Sequence, residues 1–284
     1  MKTSLTTIAA AARASLQWRL LLLWAGLLLV PTLLVSAPVW HLLAANLDYS
    51  AEAGRLAQGL DLVALSDLRD LAARKRNLLS YAGLLGVGAT LLLAPLLSAM
   101  ALAAARADTR LDLRALVEGG LRDYPRMLRM ALWSTVPLGA ALALGALLGD
   151  AAHRMAERAM LEAEAQGWTA LAALATLLLW MLAHAGLDAG RAVLALDRRR
   201  TSALAGWWAG MGLLRRQPLR VFGAYVAITL AGLALAALPA MLVLRVSGAS
   251  SLQVVAGFVL TQAAVAVLAW MRSARLFALV RLAR

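Results

Sequence analysis

Six predominantly apolar blocks dominate the 284-residue chain: Leu20 to Leu43, Leu78 to Ala105, Met130 to Gly149, Trp168 to Leu194, Val221 to Leu244 and Leu252 to Met271. A helix rises about 1.5 Å per residue, so roughly 20 residues cover the ~30 Å of bilayer hydrocarbon. Every block reaches that length. The sequence therefore predicts an all-α, polytopic integral membrane protein with six transmembrane helices, organised as a single membrane domain over residues 1–284. The first block follows Lys2, Arg13 and Arg19 as a secretory leader would, but it is too long, and its small-residue site at Ser36-Ala37 runs into Pro38. It reads as a retained anchor.

Charge orients the spans. The chain carries 28 basic and 15 acidic residues, a net charge of +13, yet only 15% of its residues are charged, well below the roughly one quarter usual in soluble domains. Basic residues collect in alternate connections. The N-terminal segment has Lys2, Arg13 and Arg19 with no acid; Arg106 to Arg129 holds six arginines against four acids; Asp197 to Arg220 holds six against one aspartate. The C-terminal stretch adds Arg272, Arg275, Arg281 and Arg284. In contrast, the connection from Asp150 to Gln166 is net acidic, with Asp150, Glu157, Glu162 and Glu164 against Arg154 and Arg158. The excess of Lys and Arg marks the cytoplasmic side, so both termini are expected there, in a bacterial inner membrane. Arg74, Lys75 and Arg76 run against this pattern, although acids make the first connection neutral overall. That connection, Ala44 to Asn77, is expected to fold into two short helices, one on Leu56, Leu60 and Val63 and one on Leu68 and Leu71.

An internal repeat organises the chain. LVEGGLRDYPRMLRM from Leu116 and AGMGLLRRQPLRVF from Ala209 superpose with Pro125 on Pro218. Each reads as a short amphipathic helix, a basic hinge, then a proline opening a span, where its missing N–H is harmless. The N-terminus follows the theme with Leu5, Ile8, Ala9 and Ala12, and the span ends GRAVLALDR from Gly190 and ARLFALVRL from Ala274 also match. The parse is three hairpin units, 1–104, 105–196 and 197–284. It places three amphipathic interfacial helices on the cytoplasmic face, where Trp207, Trp208, Arg215, Arg216 and Arg220 are expected to contact anionic headgroups.

One ionisable cluster lies within a span: His184, Asp188 and Arg191, at i, i+4 and i+7, share one helix face. Gly186 and Gly190 form a GxxxG pair on another, suited to close helix contact. Arg191, nearest the cytoplasm, is expected to reach headgroups, and Asp188 to pair with Arg191 or His184. A proton or substrate site facing a cavity is one interpretation, since histidine titrates near neutral pH. An Asp-Arg clasp that fixes the register of the span is the other, and the one preferred.

No cysteine is present and histidines number 3, which leaves no disulfide, thiolate nucleophile or Cys-zinc site and little for any metal. No spacing of acids, bases or nucleophiles fits an intramembrane enzyme, no glycine-rich loop suits a nucleotide, and no cofactor is expected. Because the basic residues map to span ends, nucleic acid is a poor partner; the bilayer, its anionic headgroups and a membrane-protein partner are better ones. The segment LDRRRTSALAGWWAGMGLLRRQPLRVFGAYV from Leu196, with the six-span plan, resembles the six-helix bacterial membrane domain found attached to glycerophosphodiester phosphodiesterases. These 284 residues hold no phosphodiesterase catalytic domain, and the resemblance carries over no catalytic residue. The function expected is a non-enzymatic membrane component that organises lipids or a partner complex; the alternative is a small transporter or lipid translocator with its site beside the fourth span.

Overall fold

The computed structural model describes residues 2–47, 62–246 and 251–284. Among them are nine helices and no strand: α1 (Lys2–Ala14), α2 (Trp18–Leu47), α3 (Leu62–Arg74), α4 (Arg76–Arg106), α5 (Leu113–Ala156), α6 (Glu162–Leu196), α7 (Ala203–Arg216), α8 (Pro218–Arg245) and α9 (Ser251–Ala283). The fold is all-α, as the apolar blocks require. Helices α2, α4, α5, α6, α8 and α9 are each long and apolar enough to cross a membrane. In the first connection, α3 carries Val63 together with Leu68 and Leu71, so the two expected helices do not separate between Val63 and Leu68; Leu56 and Leu60 lie outside the described residues.

The two matching segments do not fold alike. At the second, Gln217 leaves helical geometry at φ −134°, ψ 58°, and Pro218 opens α8 as anticipated. At the first, no hinge forms. Asp112 caps the helix, its carboxylate accepting from the Ala115 N–H at 2.8 Å, and α5 then runs unbroken for 44 residues with Pro125 inside it. The residue before a proline normally avoids helical geometry. Here Asp123 and Arg126, on either side of Tyr124 and Pro125, are buried and bonded, and those tertiary contacts hold the helix through the proline.

The described chain falls into two compact units. The first comprises residues 1–15, 98–228 and 273–284, the second 16–97 and 229–272. This division follows compactness and is independent of the three-hairpin parse. In the first unit, α5 packs on α6, and α7 packs on both. Three segments there are buried on every face: Ser98 to Ala104 of α4, Ala185 to Ala192 of α6 and Ser273 to Val280 of α9. A helix buried all round needs neighbours on all sides, and the many alanines in these segments permit close approach. In α5 and α6, burial concentrates toward the arginine-rich end, with Leu116, Met127 and Met130 facing inward on α5. In the second unit, Gly86 of α4 meets Val35 of α2, Gly232 of α8 meets Met271 of α9, and the Arg272 guanidinium lies 5.9 Å from the centroid of the buried Trp24 ring.

Candidate functional site

Helix α6 is the hub of the first unit. Its polar face carries His184, Asp188 and Arg191, and the structure brings all three together. Arg191 donates from Nη1 to Asp188 Oδ1 at 2.6 Å, and His184 Nδ1 stands 3.5 Å from Oδ2. Two further groups arrive from other helices. Arg275 of α9 sets its Nε 3.6 Å from Asp188 Oδ2, and its guanidinium lies 4.9 Å from the centroid of the Tyr225 ring of α8. Tyr225 also faces His184, with ring centroids 5.7 Å apart. Asp188 is only 1% exposed, and Arg191, Tyr225 and Arg275 are buried as well. One carboxylate thus lies between two guanidiniums deep in the unit. Arg191 does not reach outward to headgroups as expected, because Asp188, one turn back on the same face, captures it where water is excluded. Burying such charges is tolerable only when they are paired.

The opposite face of α6 receives α7 through glycine. Gly210 lies against the Gly190 backbone, so a Cβ there would fall 2.6 Å from Gly190 Cα; one on Gly190 would fall 3.0 Å from Trp207 Cα. Gly206 and Gly210 are themselves a GxxxG pair, crossing the Gly186-Gly190 pair. This closeness divides the two tryptophans expected at the headgroups. Trp208 is 67% exposed. Trp207 turns inward against Trp133 of α5, ring centroids 5.8 Å apart, and its indole N–H is buried without a hydrogen-bond partner among the described residues. Arg215, Arg216 and Arg220 remain exposed where α7 gives way to α8. Helix α7 has no polar residue between Ala203 and Leu214, so its two faces differ in size, glycine inside and Leu204 and Trp208 outside, more than in polarity.

A second charged cluster closes the C-terminal end of α6. Arg126 of α5 donates through Nη2 to the carbonyls of Leu194, Asp197 and Arg200, the last two at 2.6 and 2.8 Å, and Arg106 of α4 donates to that of Ala195 at 2.7 Å. Asp123 bridges the pair, 2.5 Å from Arg106 and 3.4 Å from Arg126. The last carbonyls of a helix lack partners within it and carry its negative dipole end, so guanidiniums suit them. Asp197 itself accepts from the Arg199 N–H and the Arg200 guanidinium, which hold its carboxyl below the usual carboxylate range against the opposing effect of desolvation. That cap is complete at neutral pH and is lost as the pH falls through the lowered value.

The sequence pattern found three of the five members of the Asp188 cluster. Arg275 and Tyr225 are on other helices, and one signal for Arg275 was available: the matching span ends superpose Arg191 on Arg275. Among the described residues, no group of three or more His, Cys, Asp or Glu gathers to hold a metal ion.

An all-α fold with six helices able to cross a membrane, and buried charges paired between them, defines a multi-pass α-helical membrane protein. No family model, curated protein or solved structure matches the chain. The resemblance to the membrane domain of glycerophosphodiester phosphodiesterases therefore rests on the sequence pattern alone.

Proposed function

We propose that this is a non-enzymatic component of a bacterial inner membrane, with both termini cytoplasmic, that organises lipids or a partner complex, and that the Asp188 cluster is the clasp of its helix bundle. The supporting observation is the state of Asp188: buried, with arginines from α6 and α9 at its two oxygens. A site that hands a proton or substrate across a membrane has to be reached from solution. A carboxylate between two guanidiniums holds helices together and has little freedom to exchange its charge. The exposed Trp208, Arg215, Arg216 and Arg220 suit anionic headgroups at the same end of the chain.

Two experiments test this reading. In proteoliposomes loaded with a pH-sensitive dye, the protein is expected to dissipate an imposed proton gradient no faster than empty vesicles. Flux that disappears in Asp188→Asn would establish a transporter. Orientation is accessible because the chain has no cysteine. With an impermeant thiol reagent on intact cells, Ser250→Cys is expected to react and Ser202→Cys to stay unlabelled; the reverse pattern inverts the topology.

A further inference from the structure

An open groove of about 530 Å³ runs between α5 and α6, lined by Leu142, Gly149, Ala152, Thr169, Thr176 and Trp180 among others. Its volume falls within the roughly 300–1,000 Å³ of small-molecule sites. The lining is largely apolar. Thr169 and Thr176 turn their hydroxyls to carbonyls of their own helix, so they offer the groove little polarity. Both walls belong to helices able to cross a membrane, and the groove lies toward their acidic end, far along α6 from Asp188.

What flanks it is unusual for this chain. Asp150, Glu157, Glu162 and Glu164 belong to one connection, four acids against Arg154 and Arg158 in a protein of net charge +13, and His153 stands 3.2 Å from Glu157. All are exposed. Arg154 and Asp150 lie about 140° and 100° round the helix from Gly149, and neither faces the groove. Glu162 lies two helical turns before Thr169 on the groove side of α6, and holds the Gln166 amide at 3.1 Å. An apolar slot inside the bilayer, with the Glu162 carboxylate at its mouth and a net acidic connection around it, matches a lipid whose acyl chain fills the slot and whose headgroup carries a primary ammonium. An anionic headgroup would meet like charge there.

We propose that the α5–α6 groove binds an aminophospholipid, acyl chain against Trp180 and ammonium at Glu162. This names the lipid class within the lipid-organising role proposed above and rests on that reading. Gly149 gives a clean probe, because a Cβ there meets nothing within 4 Å and a larger side chain can fill the groove without moving a helix.

The test is native mass spectrometry of the full-length protein, delipidated in detergent and offered phosphatidylethanolamine and phosphatidylglycerol in equal amounts. An exposed charge pair contributes up to roughly a fivefold preference, so the wild type is expected to retain the ethanolamine lipid about twofold to fivefold over the glycerol lipid. Gly149→Leu is expected to lose the retained lipid at unchanged melting temperature, and Glu162→Gln to bind both lipids equally. Equal retention by the wild type, or undiminished binding by Gly149→Leu, overturns the proposal. Neither result touches the buried clasp, whereas Asp188-dependent proton flux would sink the wider reading whichever lipid binds.

Discussion

Asp188→Asn is expected to cost the folded protein about 3–5 kcal/mol, the penalty for breaking a buried ion pair and leaving its partners charged. The geometry explains why the value should be at the high end for a one-atom change. Asn keeps the shape, so no cavity forms and packing is untouched. What disappears is the carboxylate charge between Arg191 and Arg275, both buried, and their mutual repulsion then rises in a medium of low dielectric. Thermal unfolding of the detergent-solubilised protein, and the folded fraction recovered from membranes, measure the effect. His184→Ala is expected to do much less, since His184 is partly exposed and its Nδ1 stands 3.5 Å from the carboxylate.

The second large effect belongs to Gly210. Replacement by leucine would drive a side chain into Gly190 Cα and the Ala189 carbonyl carbon, which a Cβ alone would approach to 2.6 and 2.8 Å. Backbone cannot rotate aside as a side chain can, so α7 must lift from α6, and the contact of Gly206 with Leu194 is lost with it. Overpacking of this kind costs about 3 kcal/mol or more. Gly212, two residues on, is the control, because a Cβ there meets nothing within 4 Å. Gly212→Ala is expected to be neutral or to stabilise by up to about 1 kcal/mol through the better helix propensity of alanine. Tryptophan fluorescence during thermal unfolding is a suitable readout, since the Trp207 and Trp133 rings pack against each other beside this crossing. If Gly210→Leu and Gly212→Ala melt alike, the two glycine pairs do not cross as described.

The six spans were legible because hydrocarbon thickness imposes a length that few soluble sequences meet. The polar face of α6 was legible for a similar reason: helical periodicity alone puts His184, Asp188 and Arg191 together. Arg275 and Tyr225 were not, since no local spacing reports what a different helix brings to the same carboxylate. Asp123, Arg126 and Arg106 were not singled out, for a subtler reason. Arginines near span ends read as orientation signals, and that role says nothing about whether a given guanidinium is exposed, as Arg215 is, or spent on the last carbonyls of α6, as Arg126 is. Pro125 and Pro218 show the same limit from the other side. Their sequence contexts match, yet only Pro218 opens a helix, because buried neighbours hold the chain helical through Pro125. Likewise, the bulk of Trp207-Trp208 suggested an interfacial anchor, while the glycines flanking them, Gly206 and Gly210, decided which tryptophan turned inward.

The clasp is tested most directly by removing all of its charge at once. Replacing a buried ion cluster with apolar groups of similar size is commonly neutral or stabilising, whereas removing one member is not. Thermal unfolding of the triple variant Asp188→Leu, Arg191→Leu, Arg275→Met beside Asp188→Asn is therefore expected to show the triple variant melting near or above the wild type and the single variant far below it. An Asp188→Asn protein that melts like the wild type would contradict the clasp.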